Sequence, residues 1–343
     1  MISKIIAEDK VIKAKNLIYD AEKIAIIAHA GPDGDAMGSS LALYHFLYSI
    51  NKEATVVYPD RFPSFLAWMQ GSDKALIHSE QPEAVKTLLS EVDLILCVDF
   101  NEPSRVGNLK DLLINAKADK VLIDHHPEPS TDIWKVAISY PQIASSSEIV
   151  FRLICRIGHA AEINKYCAEC IYTGMMTDTG GFTYNSNNTE IYYIIGELIR
   201  KGINKDEIYS KVFNTYTADR MRLMGYLLAN KMRIFPEYKT ALIVLSKAEQ
   251  EQFNFQRGDS EGFVNLPLSI EGIIFTVFFR EDTDKVKISL RSQGTFNVNE
   301  VASKHFNGGG HVNASGGESY LSLEETENLF ERILPEYKDL LNK

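Results

Sequence analysis

The chain has 343 residues, of which 45% are hydrophobic and 24% are charged, and its formal net charge is −10. This length favours about two globular domains. The negative charge argues against non-specific binding of duplex DNA, which needs basic patches. The sequence contains no run of about 18 apolar residues, so no membrane span is predicted. The N-terminus shows no signal-peptide core. We therefore expect a soluble protein.

The four cysteines lie mainly in apolar surroundings, which is typical of a reducing cytoplasm. Cys167 and Cys170 form a CxxC pair, but no second pair completes a zinc site. Because the pair lies in a helical pattern, core packing is the preferred interpretation. We therefore expect a cytoplasmic location.

An amphipathic helix is predicted before Lys23, and the first strand after it is followed by polar side chains. Residues 24–28 are all apolar, as in a strand buried on both faces of a parallel sheet. Glycine and proline then break the chain, and His29, Asp33 and Asp35 fall on the resulting loop. Carboxylates with imidazoles suit Mn²⁺ or Mg²⁺. The alternative is that Asp35 caps the next helix and Asp33 supports the turn.

Later elements end in the same way. An apolar strand ends at Asp99, a shorter strand ends at Asp124, His125 and His126, and an apolar helix ends at Asp178. Aspartates that recur at the ends of separate strands are hard to explain as helix caps. In a doubly wound sheet these strand ends converge on one crevice. The sequence therefore predicts one cluster of acids and imidazoles, which suits a two-metal site for phosphoryl transfer.

Other polar groups are predicted near this cluster. Arg105 lies on the loop after Asp99, where its guanidinium would approach the same sheet edge. Ser145 and Ser146 begin a helix, and Ser145 with Glu148 matches a capping box. Capping is the preferred interpretation, although such a helix end can also hold a phosphate.

From about residue 238 the pattern changes to a mixed sheet, with strands predicted over 240–245, 272–280 and 285–292. A short helix over 298–306 precedes a glycine run, 308–310, that ends at His311. Backbone amides of such a run can approach an anion closely, as in a nest.

These motifs carry a resemblance. Asp124-His125-His126, with His29-x-x-x-Asp33-x-Asp35, Asp99 and Asp178, resembles the signature of the DHH phosphoesterase superfamily, and Gly308-Gly309-Gly310-His311 resembles that of its DHH-associated C-terminal domain. In its length, the chain resembles members of the nanoRNase/pAp-phosphatase group more than it resembles RecJ exonucleases or membrane-bound cyclic-dinucleotide phosphodiesterases. The pair Ala30-Gly31, on the loop with His29 and Asp33, departs from the family pattern. This departure leaves the expected ligands in place and affects only the expected rigidity of that loop.

The resemblance implies two divalent ions, Mn²⁺ in the first instance, with Mg²⁺ or Co²⁺ as alternatives. His29, Asp33 and Asp99 would hold one ion, and Asp35, Asp99, His125 and Asp178 the other. Asp124 would orient a ligand imidazole. His126 and Arg105 would face the scissile phosphate, with His126 protonating the leaving oxygen or serving a structural role. The expected substrate-binding set is Ser145, Ser146, Arg280, Arg291, Ser292, Gly308, Gly309, Gly310 and His311.

We therefore predict an α/β protein with a parallel-sheet N-terminal DHH domain and a smaller mixed-sheet α/β C-terminal domain. The expected divisions are 1–190 for the catalytic domain, 191–235 for a helical connector and 236–343 for the substrate-binding domain. The expected enzyme hydrolyses very short single-stranded oligonucleotides or nucleotides, including pApA and pAp, and a homodimer is left open. The alternatives are a cyclic di-AMP phosphodiesterase, a non-catalytic nucleotide-binding regulator and an inorganic pyrophosphatase.

Overall fold

A computed structural model describes residues 3–130, 132–256 and 258–343 of the chain. These residues form two compact units, and the boundary between them falls between Thr215 and Tyr216. The predicted connector, 191–235, spans this boundary. Its role as a connector, and the assignment of catalysis and substrate binding to the two ends of the chain, remain predictions.

The first unit is built on a six-stranded sheet. Its strands are β1 (Lys23–Ile27), β2 (Glu53–Tyr58), β3 (Leu76–Ile77), β4 (Leu94–Val98), β5 (Asp119–Asp124) and β6 (Val136–Ser139). They are all parallel, in the order β3-β2-β1-β4-β5-β6. The strand order therefore reverses between β1 and β4, and ligands of open α/β sheets bind at such a switch point.

Helices cover both faces of this sheet. They are α1 (Glu8–Asp20), α2 (Gly34–Ser49), α3 (Pro82–Glu91), α4 (Lys110–Asn115), α5 (Ser146–Arg156), α6 (Lys165–Asp178), α7 (Thr189–Arg200) and α8 (Lys205–Phe213). Side chains of β1 alternate between two cores, with Ile24 and Ile26 in one and Ala25 and Ile27 in the other. The prediction of a strand buried on both faces is thereby confirmed.

The second unit holds a mixed sheet. Its elements are α9 (Ala218–Tyr226), β7 (Arg233–Phe235), β8 (Thr240–Leu245), α10 (Lys247–Gln252), β9 (Phe275–Glu281), β10 (Val286–Ser292), α11 (Val298–His305), β11 (Gly309–Gly310), β12 (Ala314–Ser319), α12 (Leu323–Ile333) and α13 (Lys338–Leu341). The order is β11-β12-β10-β9-β8-β7, and β8 and β9 run parallel while the other pairs are antiparallel. The predicted fold class is confirmed.

Several local predictions from the sequence pattern are wrong, for identifiable reasons. The apolar pattern over 62–69 predicts a short helix, but the segment forms only a 3-10 turn, Ser64–Leu66, which directly follows Pro63. The pattern over 323–341 predicts one long helix, but this helix is interrupted after Ile333, where Pro335 cannot donate a helical hydrogen bond. The glycine-rich strand β12 was missed because its pairing with β10 and β11 is a tertiary property that glycine does not signal.

Two further observations concern the chain as a whole. Cys167 and Cys170 are buried in the core of the first unit, as predicted. Within the described residues, no helix combines the length and the apolar character that crossing a bilayer requires.

Glycines allow α2 and α6 to pack at close range. A Cβ atom at Gly38 would lie 2.6 Å from the carbonyl oxygen of Cys170 and 2.8 Å from the amide nitrogen of Gly174. These are backbone atoms, which cannot rotate away as a side chain can. The close crossing matters for the site because Asp35 begins α2 and Asp178 ends α6.

We expect Gly38→Ala to destabilise the protein by about 1–3 kcal/mol, the usual cost of overpacking a core. The measurement is the urea unfolding midpoint followed by circular dichroism. Gly196→Ala on α7 is the matched control, since a Cβ atom there meets nothing within 4 Å. It should gain about 0.5–1 kcal/mol from helix propensity. Equal effects of the two substitutions would contradict the close-packing argument.

Candidate active site

Polar side chains gather where β1, β4 and β5 end. His29 and Asp33 follow β1, Asp99 follows β4, and His125 follows the last residue of β5. These three strands are neighbours on either side of the switch point and run in the same direction. The predicted convergence of strand ends is therefore present in the structure.

One group of three ligand atoms is centred on His29. Its Nε2 atom lies 3.5 Å from Asp99 Oδ2 and 3.7 Å from Asp33 Oδ1. The other ring nitrogen, Nδ1, lies 3.0 Å from the carbonyl oxygen of Ala30. A carbonyl can only accept, so it selects the tautomer with the proton on Nδ1 and directs Nε2 towards the acids.

A second group is centred on His125. Its Nε2 atom lies 3.4 Å from Asp178 Oδ2, 3.5 Å from Asp99 Oδ1 and 3.8 Å from Asp35 Oδ2. Its Nδ1 atom lies 3.3 Å from the carbonyl oxygen of Ile143. In both histidines, a backbone carbonyl oxygen near Nδ1 therefore orients the ring, and the two histidines lie on different loops.

Asp99 belongs to both groups, with one carboxylate oxygen directed to each imidazole. It is 2% exposed, and its backbone has φ of 64°. This left-handed conformation is unusual for a residue other than glycine and is often found at functional sites. The hydroxyl of Ser146 also donates to Asp99 Oδ1, at 2.9 Å.

Backbone amides at the start of α5 bind the carboxylate of Asp35. The amide of Ser146 donates to Asp35 Oδ2 at 2.6 Å, and the amide of Ser147 donates to Oδ1 at 2.9 Å. The positive end of the helix dipole thus faces a carboxylate that is 1% exposed. A Cβ atom at Gly174 would collide with the side chains of Ser147 and Asp35, so this glycine makes room for the arrangement.

The remaining acids have defined supporting contacts. Asp33, and not Asp35, is the N-cap of α2, where its Oδ1 accepts from the amides of Asp35 and Ala36 at 3.0 Å each. Asp124 is fully buried, and its Oδ1 lies 2.7 Å from His126 Nδ1. Asp124 therefore orients the imidazole of His126.

Arg105 and Ser145 occupy the surroundings of the cluster. The carbonyl of Arg105 accepts from the amide of Ala30 at 2.7 Å, which ties its loop to the loop after β1, and its side chain is exposed. Ser145 is the N-cap of α5, and its hydroxyl accepts from the amide of Glu148 at 3.1 Å. The preferred capping interpretation of Ser145 is confirmed.

The predicted substrate-binding residues of the second unit lie on β9, β10 and the β11–β12 hairpin. Arg280 Nη1 lies 3.4 Å from the hydroxyl of Ser260, and its guanidinium lies 5.5 Å from the ring of Phe255. Arg291 Nη1 donates to the carbonyl of Leu290 at 2.9 Å. Both guanidinium groups therefore have defined positions within the unit.

The glycine run is structural as well as a candidate anion site. A Cβ atom at Gly308 would collide with the carbonyl of Gly316, and Gly310 has φ of 148°. A Cβ atom at Gly309 would meet only the side chain of Asn299, at 3.6 Å, so this position has space. The turn after the run is closed by the amide of His311, which donates to the carbonyl of Ala314 at 2.8 Å.

Ser292 has contacts within its own unit. It is 7% exposed, its hydroxyl donates to the carbonyl of Phe296 at 2.6 Å, and it accepts from the side-chain amide of Asn313 at 2.9 Å. Its role in substrate binding remains a prediction.

The acids of the cluster have divergent pKa values. Burial, reinforced by the charges of Asp99 and Asp178, raises the pKa of Asp35 well above its usual range. Burial also raises the pKa of Asp178, to about 6. Burial acts in the same direction on Asp99, but its bond with His29 and the neighbouring imidazoles outweigh burial and lower its pKa. The site thus concentrates negative charge that needs compensating positive charge.

The two histidines compensate for this charge in the protein alone. Burial opposes protonation of His29, but Asp33 and Asp99 outweigh it and raise the pKa to about 10. For His125, Asp178, Asp99 and Asp35 likewise outweigh burial and raise the pKa to about 9.

The donor set fits divalent cations. Two groups of three ligand atoms, His29 with Asp33 and Asp99, and Asp35 with Asp99 and His125, each lie within 4.8 Å of one another. Carboxylates and imidazoles with orienting contacts on their second nitrogens are the ligands that Mn²⁺, Mg²⁺ or Zn²⁺ centres use.

Two contributors to the site were missed by the sequence analysis. Ser147 acts through its backbone amide, which any residue would provide. Gly174 acts through a missing side chain within an apolar helix pattern. No sequence signal distinguishes either of them from an ordinary helical residue.

Comparison with known proteins places this geometry in a family. Residues 23–175 match the DHH family, N-terminal domain, and residues 239–343 match the DHHA1 domain. The fold and the acid–imidazole cluster thus define the chain as an α/β protein of the phosphoesterase class. The chain belongs to the DHH phosphoesterase family, in its NrnA-like group, and this confirms the resemblance seen in the sequence.

The relatives are similar over most of their length. The chain is 30% identical over 323 residues to the bifunctional oligoribonuclease and PAP phosphatase NrnA of Thermus thermophilus, covering 93% of this chain and 90% of that protein. It is 27% identical to the Bacillus subtilis protein of the same name, covering 91% and 93%. A crystal structure of an exopolyphosphatase-related protein from Bacteroides fragilis is 52% identical, with a TM-score of 0.95 and full coverage of both chains.

The raised pKa values of the histidines predict how the metal-free protein responds to pH. The folded state retains protons on His29 and His125 that the unfolded chain releases near pH 6.5. Their contribution to stability is complete below that pH and is lost as the pH rises towards 9–10. We therefore expect the urea unfolding midpoint in EDTA to fall between pH 6.5 and pH 9.

His29→Gln is the comparison variant for this measurement. It removes one of the two titrating groups, so its midpoint should fall less steeply over the same range. A midpoint that stays constant or rises in the wild-type protein would contradict the assigned ion pairs.

Proposed function

We propose that this protein is a Mn²⁺-dependent phosphoesterase that hydrolyses very short oligonucleotides to nucleoside monophosphates and also converts pAp to AMP. The observation that carries the proposal is the pair of ligand groups sharing Asp99 at the switch point of the sheet. Relatives named as bifunctional oligoribonuclease and PAP phosphatase, similar over more than nine-tenths of this chain, support the substrate class.

Two ions are proposed, and they would share Asp99 as a ligand. His29, Asp33 and Asp99 would hold one, and Asp35, Asp99, His125 and Asp178 the other. The distances of 3.4–3.8 Å between each imidazole nitrogen and its acids support this division. When bound, divalent ions polarise the phosphoryl oxygens and lower the pKa of the attacking water.

His126 is proposed as the general acid. Asp124 accepts from its Nδ1 atom, which fixes the orientation of the ring. Its side chain is 17% exposed, whereas that of His125 is 5% exposed, so His126 is the imidazole with access to a substrate. A proton from Nε2 would then reach the leaving ribose oxygen as the P–O bond breaks.

Cations outside the cluster would bind the substrate. Arg105 is exposed on a loop that is hydrogen-bonded to the loop carrying His29, which supports a contact with the scissile phosphate. Arg280, Arg291 and the amides beside Gly309 are the proposed contacts of the second unit with the rest of the nucleotide. Ser146 would support the reaction by holding Asp99 and Asp35.

Single strands and nucleotides, and not duplex DNA, are the expected substrates because the net charge is −10. A cytoplasmic location and a homodimer remain predictions.

The test of the function is product analysis with Mn²⁺ on a matched panel of pApA, a short RNA, a long single strand, pAp, cyclic di-AMP and pyrophosphate. We expect rapid release of AMP from pApA and of nucleoside monophosphates from the short RNA, slower turnover of the long strand, and conversion of pAp to AMP. Preference for cyclic di-AMP or pyrophosphate would replace the proposed substrate class with the corresponding alternative.

Asp99→Asn is the control for this panel. Asparagine has the same shape and tolerates positive φ, so the fold should persist. Loss of groups that merely support metal ligands costs about 10–100-fold, and loss of the shared ligand should cost at least about 100-fold. Turnover that survives this substitution would show that the proposed site is not responsible.

The role of His126 predicts a dependence on the leaving group. General acid catalysis contributes about 10²–10⁴-fold when the leaving group is a poor one, such as a ribose alkoxide. His126→Gln should therefore slow pApA hydrolysis by about that factor while changing hydrolysis of the p-nitrophenyl ester of AMP much less, since p-nitrophenolate leaves without a proton. Equal losses on both substrates would assign His126 a structural role.

A further inference from the structure

The turn after α6 has an unusual backbone. Gly180, Gly181 and Phe182 follow one another with φ of 56°, 72° and 65°. Such a conformation is strained for phenylalanine and persists only where the surroundings hold it. Here the amide of Phe182 donates to Thr179 Oγ1 at 3.1 Å, and its ring packs on Tyr172 with centroids 5.6 Å apart. The turn is thus fixed in a conformation that the chain would not adopt alone.

The turn positions one exposed aromatic ring. The side chain of Tyr184 folds back over Gly180, so that a Cβ atom on this glycine would collide with the ring. The amide of Tyr184 donates to the carbonyl of Thr179 at 3.2 Å, which closes the turn. Nevertheless, 45% of Tyr184 remains exposed.

A second exposed ring approaches the next glycine of the turn. Tyr209 of α8 approaches Gly181, where a Cβ atom would lie 3.5 Å from its ring. The ring packs against Phe213 in a tilted arrangement, with centroids 4.9 Å apart, and 45% of the residue is exposed. Two aromatic side chains therefore rest on two successive glycines, each supported from within the unit and each accessible to solvent.

The glycines under these two rings closely follow a residue of the acid–imidazole cluster. Asp178, whose Oδ2 is 3.4 Å from His125 Nε2, precedes Gly180 by two residues. Two residues of chain span at most about 7 Å. A ligand with a phosphate at the cluster could therefore place a neighbouring planar group on these rings.

We propose that Tyr184 and Tyr209 form a stacking site for a nucleobase of the substrate. This inference rests on the proposed function, since it assumes a nucleotide at the cluster. Stacking on an aromatic ring accepts any base because every base has a π-face. The site would therefore demand that a base be present without selecting which one, as suits an enzyme for mixed short oligonucleotides. It also gives the strained glycine turn a function, namely to hold the rings beside the reacting phosphate.

The test compares two substrates on matched variants. Tyr184→Leu and Tyr209→Leu remove the stacking surface, Tyr184→Phe and Tyr209→Phe retain it, and Tyr192→Leu, at a 55% exposed position on α7, is the control. The substrates are pApA and its base-free analogue, in which hydrogen replaces both bases. Aromatic stacking of one base predicts a loss of about 10- to 100-fold in kcat/KM for pApA in each leucine variant, mainly through KM.

The base-free analogue separates stacking from a structural role. Its kcat/KM should be low in the wild-type protein and unchanged in both leucine variants, and the phenylalanine and Tyr192→Leu variants should resemble wild type on both substrates. Equal losses on both substrates, or wild-type turnover of pApA by the leucine variants, would overturn the stacking site. A wild-type protein that hydrolyses neither substrate would instead refute the proposed function.

Discussion

The buried carboxylate of Asp99 is the group on which the arrangement of the site depends. It lies at the end of β4, beside the point where the strand order reverses, and directs one oxygen to His29 and the other to His125. The backbone of this residue is in the left-handed region, with φ of 64°. A buried anion between two other acids is unfavourable unless positive charge compensates for it. The imidazolium groups do so in the protein alone, and divalent cations would do so in the proposed enzyme.

The helices around the sheet serve this carboxylate cluster. The start of α5 donates two amides to Asp35 and one hydroxyl to Asp99, so one helix end stabilises two acids at once. Gly38 and Gly174 let α2 and α6 approach at backbone distance, which brings the start of one helix to the end of the other. Packing and electrostatics are therefore coupled, since a methyl group at Gly174 would displace the carboxylate of Asp35 and one at Gly38 would separate the two helices.

The end of α6 links the cluster to substrate recognition. Asp178 is the last residue of the helix, and Tyr184 and Tyr209 rest on the two glycines of the strained turn that follows. Phosphate chemistry and base recognition would then be joined by a rigid segment of only a few residues. Such rigidity favours catalysis because it fixes the reacting phosphate once the base is bound.

The sequence by itself determined the fold class, the strand ends and the identities of the cluster residues. Short apolar runs that are typical of buried strands, followed by Asp or His, are local signals in the sequence. The carboxyl ends of neighbouring parallel strands must lie at the same edge of the sheet. Only the tertiary structure decided which groups meet. Asp33 caps α2 and Asp124 holds His126 through local contacts, which the conformations of the folded loops select. Ser147 and Gly174 serve Asp35 through contacts between segments far apart in the chain. Backbone amides and absent side chains carry these contacts, and neither leaves a distinctive residue type to be read from the sequence.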